Sequence, residues 1–311
     1  RMYDISLGQR AVTGVDPRAE YIPTSQVGVE IGGGVGLHYH YGTLGQLQHG
    51  ENYATAYLRT IGADLSRSRP LKVWPYKKGS KVKLFVLAGH RNMEGERAFV
   101  QELKTLEGKA ALLKDNPKIA YKYNLGGGYK TSNGWEPLGL TGYYDTFGPE
   151  LSFAQILQGE DSGNIAIAKF THSGSQIIDW TPEGSMAKSR HIYPKFIGFI
   201  KEAVQELEAK GHEVELTGVF YHLGENDMSF HPYRKQAAER LEAIIAQSRK
   251  DLGRPALKWY VSQQPPTDDN SVNNIDVVAN VDMAAAADPT LIHLKAFNLP
   301  SQEKKLVIST A

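Results

Sequence analysis

Residues 82–95 read Val-Lys-Leu-Phe-Val-Leu-Ala-Gly-His-Arg-Asn-Met-Glu-Gly, an apolar run that ends in a short polar segment between two glycines. The apolar run has the length and the aromatic and β-branched content of a buried strand. Similar runs occur later in the chain, at residues 164–170, 214–222, 257–262 and 290–296. Amphipathic helical patterns separate them, near residues 94–107, 149–158, 193–210, 231–252 and 276–287.

Strands that alternate with helices form parallel sheets with helices on both faces, and such strands are almost continuously apolar. The pattern therefore predicts an α/β fold. We expect a three-layer α/β/α sandwich around a central, mostly parallel sheet of about five strands.

The first part of the chain differs in composition from the rest. Residues 1–78 are rich in Gly and Tyr, contain one helical stretch at about 51–66, and end in a segment that holds Pro70 and Pro75. We expect an N-terminal extension or small subdomain over residues 1–78 and the α/β domain over residues 79–311.

Composition excludes several classes of function. The 311 residues include 35 Lys and Arg, 34 Asp and Glu and no Cys, and the charges are spread along the chain, which argues against a nucleic-acid partner. No apolar run approaches the ~20 residues of a membrane helix, and a thiol nucleophile is excluded. His38 and His40 lack a recognisable carboxylate partner, so we predict neither a metal nor another cofactor.

The polar residues that follow the predicted strands mark a candidate site, because ligands of open α/β sheets bind beyond the carboxyl ends of the strands. Three groups of such residues converge there in the predicted fold: His90, Arg91 and Asn92; His172 and Ser173; and His222, Glu225, Asn226, Asp227 and His231.

The order and spacing of these segments resemble the sialate O-acetylesterase-related, acetylxylan-esterase-like branch of the SGNH hydrolases. That group carries Gly-Gln-Ser-Asn-Met-x-Gly after a strand, a Gly-Pro-Glu helix start, a Lys-x-x-x-Gly-Gly-Ser turn, and Trp-x-Gln-Gly-Glu-x-Asp. The counterparts here are residues 89–95, 148–150, 169–175 and 221–227. The resemblance extends over about residues 80–311, and it implies a flavodoxin-like SGNH fold, a carbohydrate partner and a secreted or periplasmic location.

This chain departs from the pattern of the family at the catalytic positions. The family's serine nucleophile falls on Arg91 and the preceding Gln on His90. The terminal Asp-x-x-His of the family falls either on Lys304 and Val307, the alignment we favour, or on Asp288 and His293 with wider spacing.

By the same resemblance, two oxyanion donors are retained. They are the backbone of Gly148 and the side chain of Asn226. Glu225 and Asp227 have supporting roles in the family, and Asp227 could instead orient a water or a histidine.

Arginine at the nucleophile position changes the chemistry that the site can perform. A guanidinium is permanently charged and is neither nucleophile nor base, but its planar fork suits sulfate, phosphate and carboxylate. We therefore predict hydrolysis of an anionic ester on a carbohydrate, a sulfate ester first, with a marine galactan such as carrageenan as an example by analogy. Arg91 would hold the anion, and His90 or His222 would be the acid or base.

Within this prediction the residues divide into two groups. The catalytic group is Arg91, His90, His222, Asn226, Asp227 and Gly148, and the substrate-binding group is Asn92, His172, Ser173, Glu225 and His231. Two alternatives stay open. One is a carbohydrate O-acetylesterase with another nucleophile, such as Ser173, Ser175 or Ser229, and the other is a carbohydrate-binding relative without catalysis.

Overall fold

The computed structural model describes residues 69–96, 98–128, 130–142, 146–160, 163–186, 191–224, 227, 231–263 and 275–295, short pieces before residue 62, and residues 301–302 and 307–308. The chain divides into two compact units, Arg1–Arg67 and Ser68–Ala311. In the first unit, the described strands are β1 (Val29–Glu30) and β2 (His40–Tyr41), which pair antiparallel.

The second unit contains the described parts of an α/β domain. Its strands are β3 (Lys81–Gly89), β4 (Asn116–Leu125), β5 (Lys130–Thr131), β6 (Glu136–Leu138), β7 (Asn164–Thr171), β8 (Glu213–His222), β9 (Trp259–Ser262), β10 (Leu291–His293), β11 (Ser301–Gln302) and β12 (Val307–Ile308). Its helices are α1 (Arg91–Glu94), α2 (Val100–Leu103), α3 (Glu150–Glu160), α4 (Tyr193–Ala209), α5 (His231–Lys235), α6 (Ala237–Asp251) and α7 (Ile275–Ala287), with 3-10 turns at Ala110–Leu113 and Ile177–Trp180.

The main sheet is centred on β3. The strand order is β10-β9-β8-β3-β7-β4-β5, and β6 pairs with β4 beside β5. The six strands from β10 to β4 run parallel to their neighbours, whereas β5 and β6 run antiparallel to β4. Since β3 comes first in this sheet but lies between β7 and β8, its carboxyl end is the switch point of the topology, where such folds bind ligands.

The alternation of residues along β3 supplies both hydrophobic cores. Leu84 and Val86 pack on one face with residues of α4, α6 and α7, while Phe85 and Leu87 pack on the other face with residues of α1, α2 and α3. These two cores place helices on both sides of the sheet. The predicted three-layer α/β/α sandwich with a mostly parallel sheet is therefore confirmed.

Residues 69–80 belong to the same compact unit as the sheet. The hydroxyl of Tyr76 accepts a hydrogen bond from the amide of Ala120 at 2.8 Å and donates to the carbonyl of Ile165. The indole of Trp74 donates to His212 at 2.7 Å. These contacts attach the segment to strands β4 and β7 and to the start of β8.

The sequence patterns miss part of this architecture. All five predicted strands are present, but β4 and its antiparallel partners β5 and β6 were not predicted. The strand β4 begins with Asn116-Pro117-Lys118, which reads as a turn, although its later residues are buried. The helical stretch expected over residues 51–66 falls mostly outside the described residues.

A buried ion pair connects β7 to α3 beneath the carboxyl edge of the sheet. The ammonium of Lys169 lies 2.7 Å from the carboxylate of Glu150 and donates to the carbonyl of Glu94 at 3.1 Å. Both side chains are inaccessible to solvent. Because an unpaired charge in this position would be costly, the pair fixes the start of α3 against the turn that follows β3.

We expect Lys169→Ala to lower the free energy of unfolding by about 3–5 kcal/mol, because the carboxylate of Glu150 would remain buried without its partner. The matched control is Lys81→Ala, whose ion pair with Glu215 is exposed and should contribute little. Urea denaturation of both variants measures the difference. Equal stability of the two variants would contradict the structural role of the buried pair.

Candidate functional site

A tight turn joins β3 to α1, and two glycines make it possible. Gly89 has a φ of 142°, and a Cβ there would lie 2.6 Å from the carbonyl oxygen of His222. Gly95 ends α1 with a φ of 90°, and a Cβ there would lie 1.8 Å from the carbonyl oxygen of Phe147. Neither position accepts a side chain in this conformation.

The same turn corrects a prediction. The helix predicted over residues 94–107 is much shorter in the structure: α2 lies within this range, and α1 precedes it and ends at Gly95 after four residues. So short a helix aligns few peptide dipoles. The helix therefore adds little positive potential to this turn, whose positive charge is the guanidinium of Arg91.

Arg91 is the first residue of α1, and its side chain is 28 % exposed. Its Nε lies 3.8 Å from Oε2 of Glu96, whose side chain is only 6 % exposed. The same carboxylate oxygen accepts a hydrogen bond from the hydroxyl of Ser173. The guanidinium thus lies beside a buried carboxylate that the end of β7 holds in position.

Glu94 connects α1 to the residues after β4 and β7. Its Oε2 accepts hydrogen bonds from the amide of Gly126 at 3.1 Å, the hydroxyl of Thr171 at 2.9 Å and the amide of Ser173 at 3.2 Å. Burial raises the pKa of this carboxyl, and the nearby charge of Glu96 raises it further. Glu94 therefore fixes the turn to the ends of β4 and β7.

His90 lies in the interior beneath the turn. Its Nδ1 is 3.0 Å from both the carbonyl and the hydroxyl of Ser175, and its Nε2 is 2.9 Å from the hydroxyl of Tyr221. The ring is 1 % exposed, and burial lowers its pKa to about 3. We therefore assign His90 a structural role, in place of the acid–base role that its position in the sequence suggested.

His222 ends β8 and contacts the turn directly. Its Nε2 lies 3.3 Å from the amide nitrogen of Asn92, and its Nδ1 lies 2.9 Å from the hydroxyl of Ser262. Since the amide nitrogen can only donate, Nε2 accepts and Nδ1 carries the proton. Burial lowers the pKa of His222 to about 4, so the ring is neutral at pH 7.

Two further predicted catalytic residues have structural partners. The amide of Gly148 donates to the carboxylate of Glu150 at 3.1 Å, so this N–H is already engaged and the expected oxyanion role lacks support. Asp227 is fully buried, and its Oδ2 accepts a hydrogen bond from the amide of Ile177 at 2.7 Å. Desolvation raises the pKa of Asp227 to about 7.

The remaining predicted residues are only partly described. His172 follows β7 and is half-buried, with Nδ1 2.8 Å from the carbonyl of Ser173. Glu225, Asn226, Ser229, Lys304, His38 and the side chains of His40 and His231 lie outside the described residues. Val307 lies in β12, which pairs with β11 and lies beside α1.

The alternative alignment of the family's terminal acid and histidine lacks support from the contacts of these residues. Nδ1 of His293 lies 2.7 Å from Asp282, and its Nε2 lies 2.6 Å from Gln263. Asp288 instead pairs with Arg249 at 2.5 Å. His293 also ends β10, three strands from β3, which is about 14 Å at the usual strand spacing.

Sequence reasoning missed two residues of the site, Glu96 and Ser262. Ser262 is the last residue of β9 and could have been found by the rule that selected His222, since both end a predicted strand. Glu96 follows Gly95, beyond the quoted motif, and no pattern in the sequence connects it to Ser173.

The profile of one protein family, described as "Carbohydrate esterase, sialic acid-specific acetylesterase", matches residues 81–311. The chain belongs to this family. The match confirms the carbohydrate-esterase resemblance seen in the motifs, and it covers every strand of the main sheet in this esterase domain. No individually curated protein matches the chain.

Solved structures with a similar fold have low sequence identity to this esterase-family chain. A protein of Arabidopsis thaliana is 19 % identical, with a TM-score of 0.53 over 73 % of this chain and 91 % of that protein. A carbohydrate acetylesterase from Xanthomonas citri is 15 % identical, with a TM-score of 0.54 over 73 % and 52 % of the two chains. NanS is 14 % identical, with a TM-score of 0.53 over 73 % and 81 %. Identities this low establish the fold alone.

Two features of the described residues bear on membranes and metals. Of the helices in the described ranges, none combines the length and apolar composition that a membrane crossing needs. Within the same ranges, no group of three His, Asp or Glu side chains is placed to hold a metal ion.

We expect Asp227→Asn to change how stability depends on pH. Folding raises the pKa of Asp227 from its ordinary value to about 7, so the folded state keeps a proton that the unfolded state loses above about pH 4. The contribution of Asp227 to the free energy of unfolding is therefore fully present below about pH 4, and it is lost as the pH rises to about 7. The asparagine variant keeps an oxygen for the amide of Ile177 and avoids that loss.

Urea unfolding of the wild type and Asp227→Asn between pH 5 and 8.5 measures this difference. The variant should be the more stable protein at high pH, by an amount that shrinks as the pH falls. Asp251→Asn is the control, because a hydrogen bond from Tyr193 lowers the pKa of Asp251 and this carboxylate is therefore charged over the whole range, so its loss should change stability by an amount that does not vary with pH. A difference for Asp227→Asn that does not vary with pH would contradict a protonated Asp227.

Proposed function

We propose that this esterase-family chain binds an anionic carbohydrate at the carboxyl edge of its sheet, with the guanidinium of Arg91 as the anion ligand. The observation that carries the proposal is Arg91 itself, a partly exposed guanidinium in the turn after β3. The resemblance of the motifs implies that the family's serine nucleophile would fall at this position. Charge-assisted hydrogen bonds from a planar fork suit the oxygen atoms of sulfate and carboxylate.

The surroundings of Arg91 support a binding role. Glu96 holds the guanidinium from one side, and the turn itself is fixed by Glu94 and the two glycines. Because the side chain of Arg91 is already held in position, it loses little conformational freedom when an anion binds, and more of the interaction energy remains as affinity. We propose a carbohydrate as the ligand because the chain belongs to a family of carbohydrate esterases. A secreted or periplasmic location is part of the same proposal.

The reaction that we propose for this site is hydrolysis of a sulfate ester. A water oxygen would form a bond to sulfur while the bond from sulfur to the sugar oxygen breaks. His222 would accept the proton that the water gives up, and the sugar oxygen would take that proton from His222 as it leaves. Arg91 would compensate the charge of the sulfate. His222 is neutral and presents the acceptor Nε2 towards Asn92, so it suits the role of a base for water once substrate displaces the amide.

One set of observations favours a second candidate, which is binding without turnover. Both ring nitrogens of His90 are engaged in the interior, the amide of Gly148 is given to Glu150, and Nε2 of His222 faces Asn92. In this candidate the polar edge of the sheet retains recognition but not chemistry. Arg91 has the same role in both cases.

An acetylesterase with another serine receives less support. The hydroxyl of Ser175 is buried and bonded to the carbonyl of His172 and the indole of Trp180. Ser173 is also buried, and its hydroxyl donates to Glu96. Neither hydroxyl lies at the surface, where an acyl group could reach it.

We expect Arg91→Ala to weaken the binding of sulfated galactan oligosaccharides by about 10–100-fold, the usual worth of hydrogen bonds to a charged group. Arg91→Lys should bind with intermediate affinity, because a point charge does not reproduce the bidentate fork. Titration calorimetry measures the affinities. Arg254→Ala removes an exposed arginine of the same domain and is the matched control.

If Arg91→Ala binds the oligosaccharides with wild-type affinity, Arg91 is not part of the binding site. A reactive serine would be revealed by stoichiometric labelling with an organophosphonate, together with release of acetate from acetylated xylan. That result would favour the acetylesterase and contradict anion recognition as the function of the turn.

We expect His222→Ala to lower sulfate release by about 10²–10⁴-fold while oligosaccharide binding changes only a few-fold, as for loss of a general base. Because the pKa of His222 is about 4, the wild-type rate should rise with pH and level off above about pH 5. Ion chromatography measures the free sulfate. His90→Ala should instead lower the melting temperature, because it opens a cavity beside Tyr221.

Binding of sulfated oligosaccharides by the wild type, with no sulfate released from any member of a broad panel, would decide for the non-catalytic candidate. Sulfate release that survives His222→Ala unchanged would contradict the role given to this histidine but would leave the role of Arg91 intact.

A further inference from the structure

The carboxylate of Glu96, which holds Arg91 in the proposed site, also places a negative charge beside the anion ligand. Its Oε2 lies 3.8 Å from Nε of Arg91 and accepts the hydroxyl hydrogen bond of Ser173. The side chain is 6 % exposed, whereas that of Arg91 is 28 % exposed. The guanidinium therefore lies between solvent and a buried negative group that cannot move away.

We infer that Glu96 makes this site selective for singly charged anionic sugars, sulfate esters or carboxylates, over sugar phosphates, which are dianions at neutral pH. This inference rests on the proposed function of Arg91 as the anion ligand. It assigns Glu96 and Ser173 as specificity-determining residues that act through Arg91.

The charge of the pair gives the physical reason. Arg91 and Glu96 together carry about zero net charge, so an anion gains mainly from directed hydrogen bonds of the guanidinium. A second negative charge on the ligand is attracted by Arg91 and repelled by Glu96 at comparable range, and it must also be desolvated. The second charge of the dianion therefore adds little binding energy, while its desolvation costs more than that of the monoanion.

Two contacts hold the carboxylate of Glu96 in place. Ser173 donates a hydrogen bond to the carboxylate, and the guanidinium lies on the other side. Glu94 lies in the same turn with a raised pKa, caused first by burial and then by the charge of Glu96.

Other titratable groups surround the pair and bear on any pH dependence. Among the described residues they are Glu94 on α1, His172 beside Ser173, and His90 and His222 at the ends of β3 and β8. A sulfate monoester keeps one charge throughout the range used, so its binding reports the titration of the protein alone. The ratio of phosphate to sulfate affinity then isolates the charge of the ligand.

The test compares galactose 6-sulfate with galactose 6-phosphate by titration calorimetry at about pH 7.5 and pH 5, using the full chain. For the wild type we expect the sulfate to bind about tenfold tighter at pH 7.5, with a preference below about threefold at pH 5, where the phosphate ester is largely a monoanion. Glu96→Gln should lose most of the preference at pH 7.5. Glu107→Gln, an exposed glutamate nearby in the chain, should retain it.

Equal affinity of the wild type for the two esters at pH 7.5, or an unchanged preference in Glu96→Gln, would overturn the inference and leave the anion role of Arg91 standing. Failure of the wild type to bind either ester or a sulfated oligosaccharide would instead contradict the proposed function itself. If Glu96→Gln does not fold by circular dichroism, Ser173→Ala takes its place, because loss of the hydrogen bond that holds Glu96 beside Arg91 should also lower the preference at pH 7.5. An unchanged preference in Ser173→Ala would then overturn the inference.

Discussion

The close approach of neighbouring chain segments at the carboxyl edge determines the rest of this site. Gly89 leaves no room for a side chain against the carbonyl of His222, and Gly95 leaves none against the carbonyl of Phe147. These two positions bring the turn after β3 against β8 on one side and against the segment before α3 on the other. The side chains at 90, 91 and 92 then have three different surroundings, which are the interior, the partly exposed edge and the contact with β8.

Burial beneath the turn is tolerated because the polar groups are paired. Lys169 and Glu150 form an ion pair, Glu94 accepts three hydrogen bonds, and His90 joins Ser175 to Tyr221. Each of these groups would be costly if it lost its partner. This layer holds the turn in place, and it occupies the hydrogen-bonding groups of several polar residues in the family motifs.

The fold could be predicted from the sequence because long apolar runs between amphipathic helices admit few alternatives. The strand β4 escaped prediction because it starts at Asn116-Pro117 and carries Lys122, whose ammonium reaches Glu206 on α4 at 2.9 Å. A lysine buried by a tertiary ion pair looks like a surface residue in a linear pattern. The broken helix after β3 depends on the φ of Gly95, which no periodicity reveals.

The candidate site was predictable only to the level of the edge that carries it. Position at a strand end selects His90 and His222 equally, yet one ring points into the core and the other contacts Asn92. The difference depends on Tyr221 and Ser175, residues far from His90 in sequence. Similarly, Arg91 lies beside Glu96, and the residue that holds Glu96 is Ser173 in the turn after β7.

Glu94 has a consequence for how such proteins could diversify. Its three hydrogen bonds come from Gly126, Thr171 and Ser173, and none of them involves the side chain at position 91. The hydrogen bonds that hold the turn are thus independent of the side chain at position 91. For a protein engineer, position 91 is therefore a site where different side chains could be introduced while the hydrogen bonds around it are kept. The same modularity offers evolution a short route between reaction and recognition on one backbone.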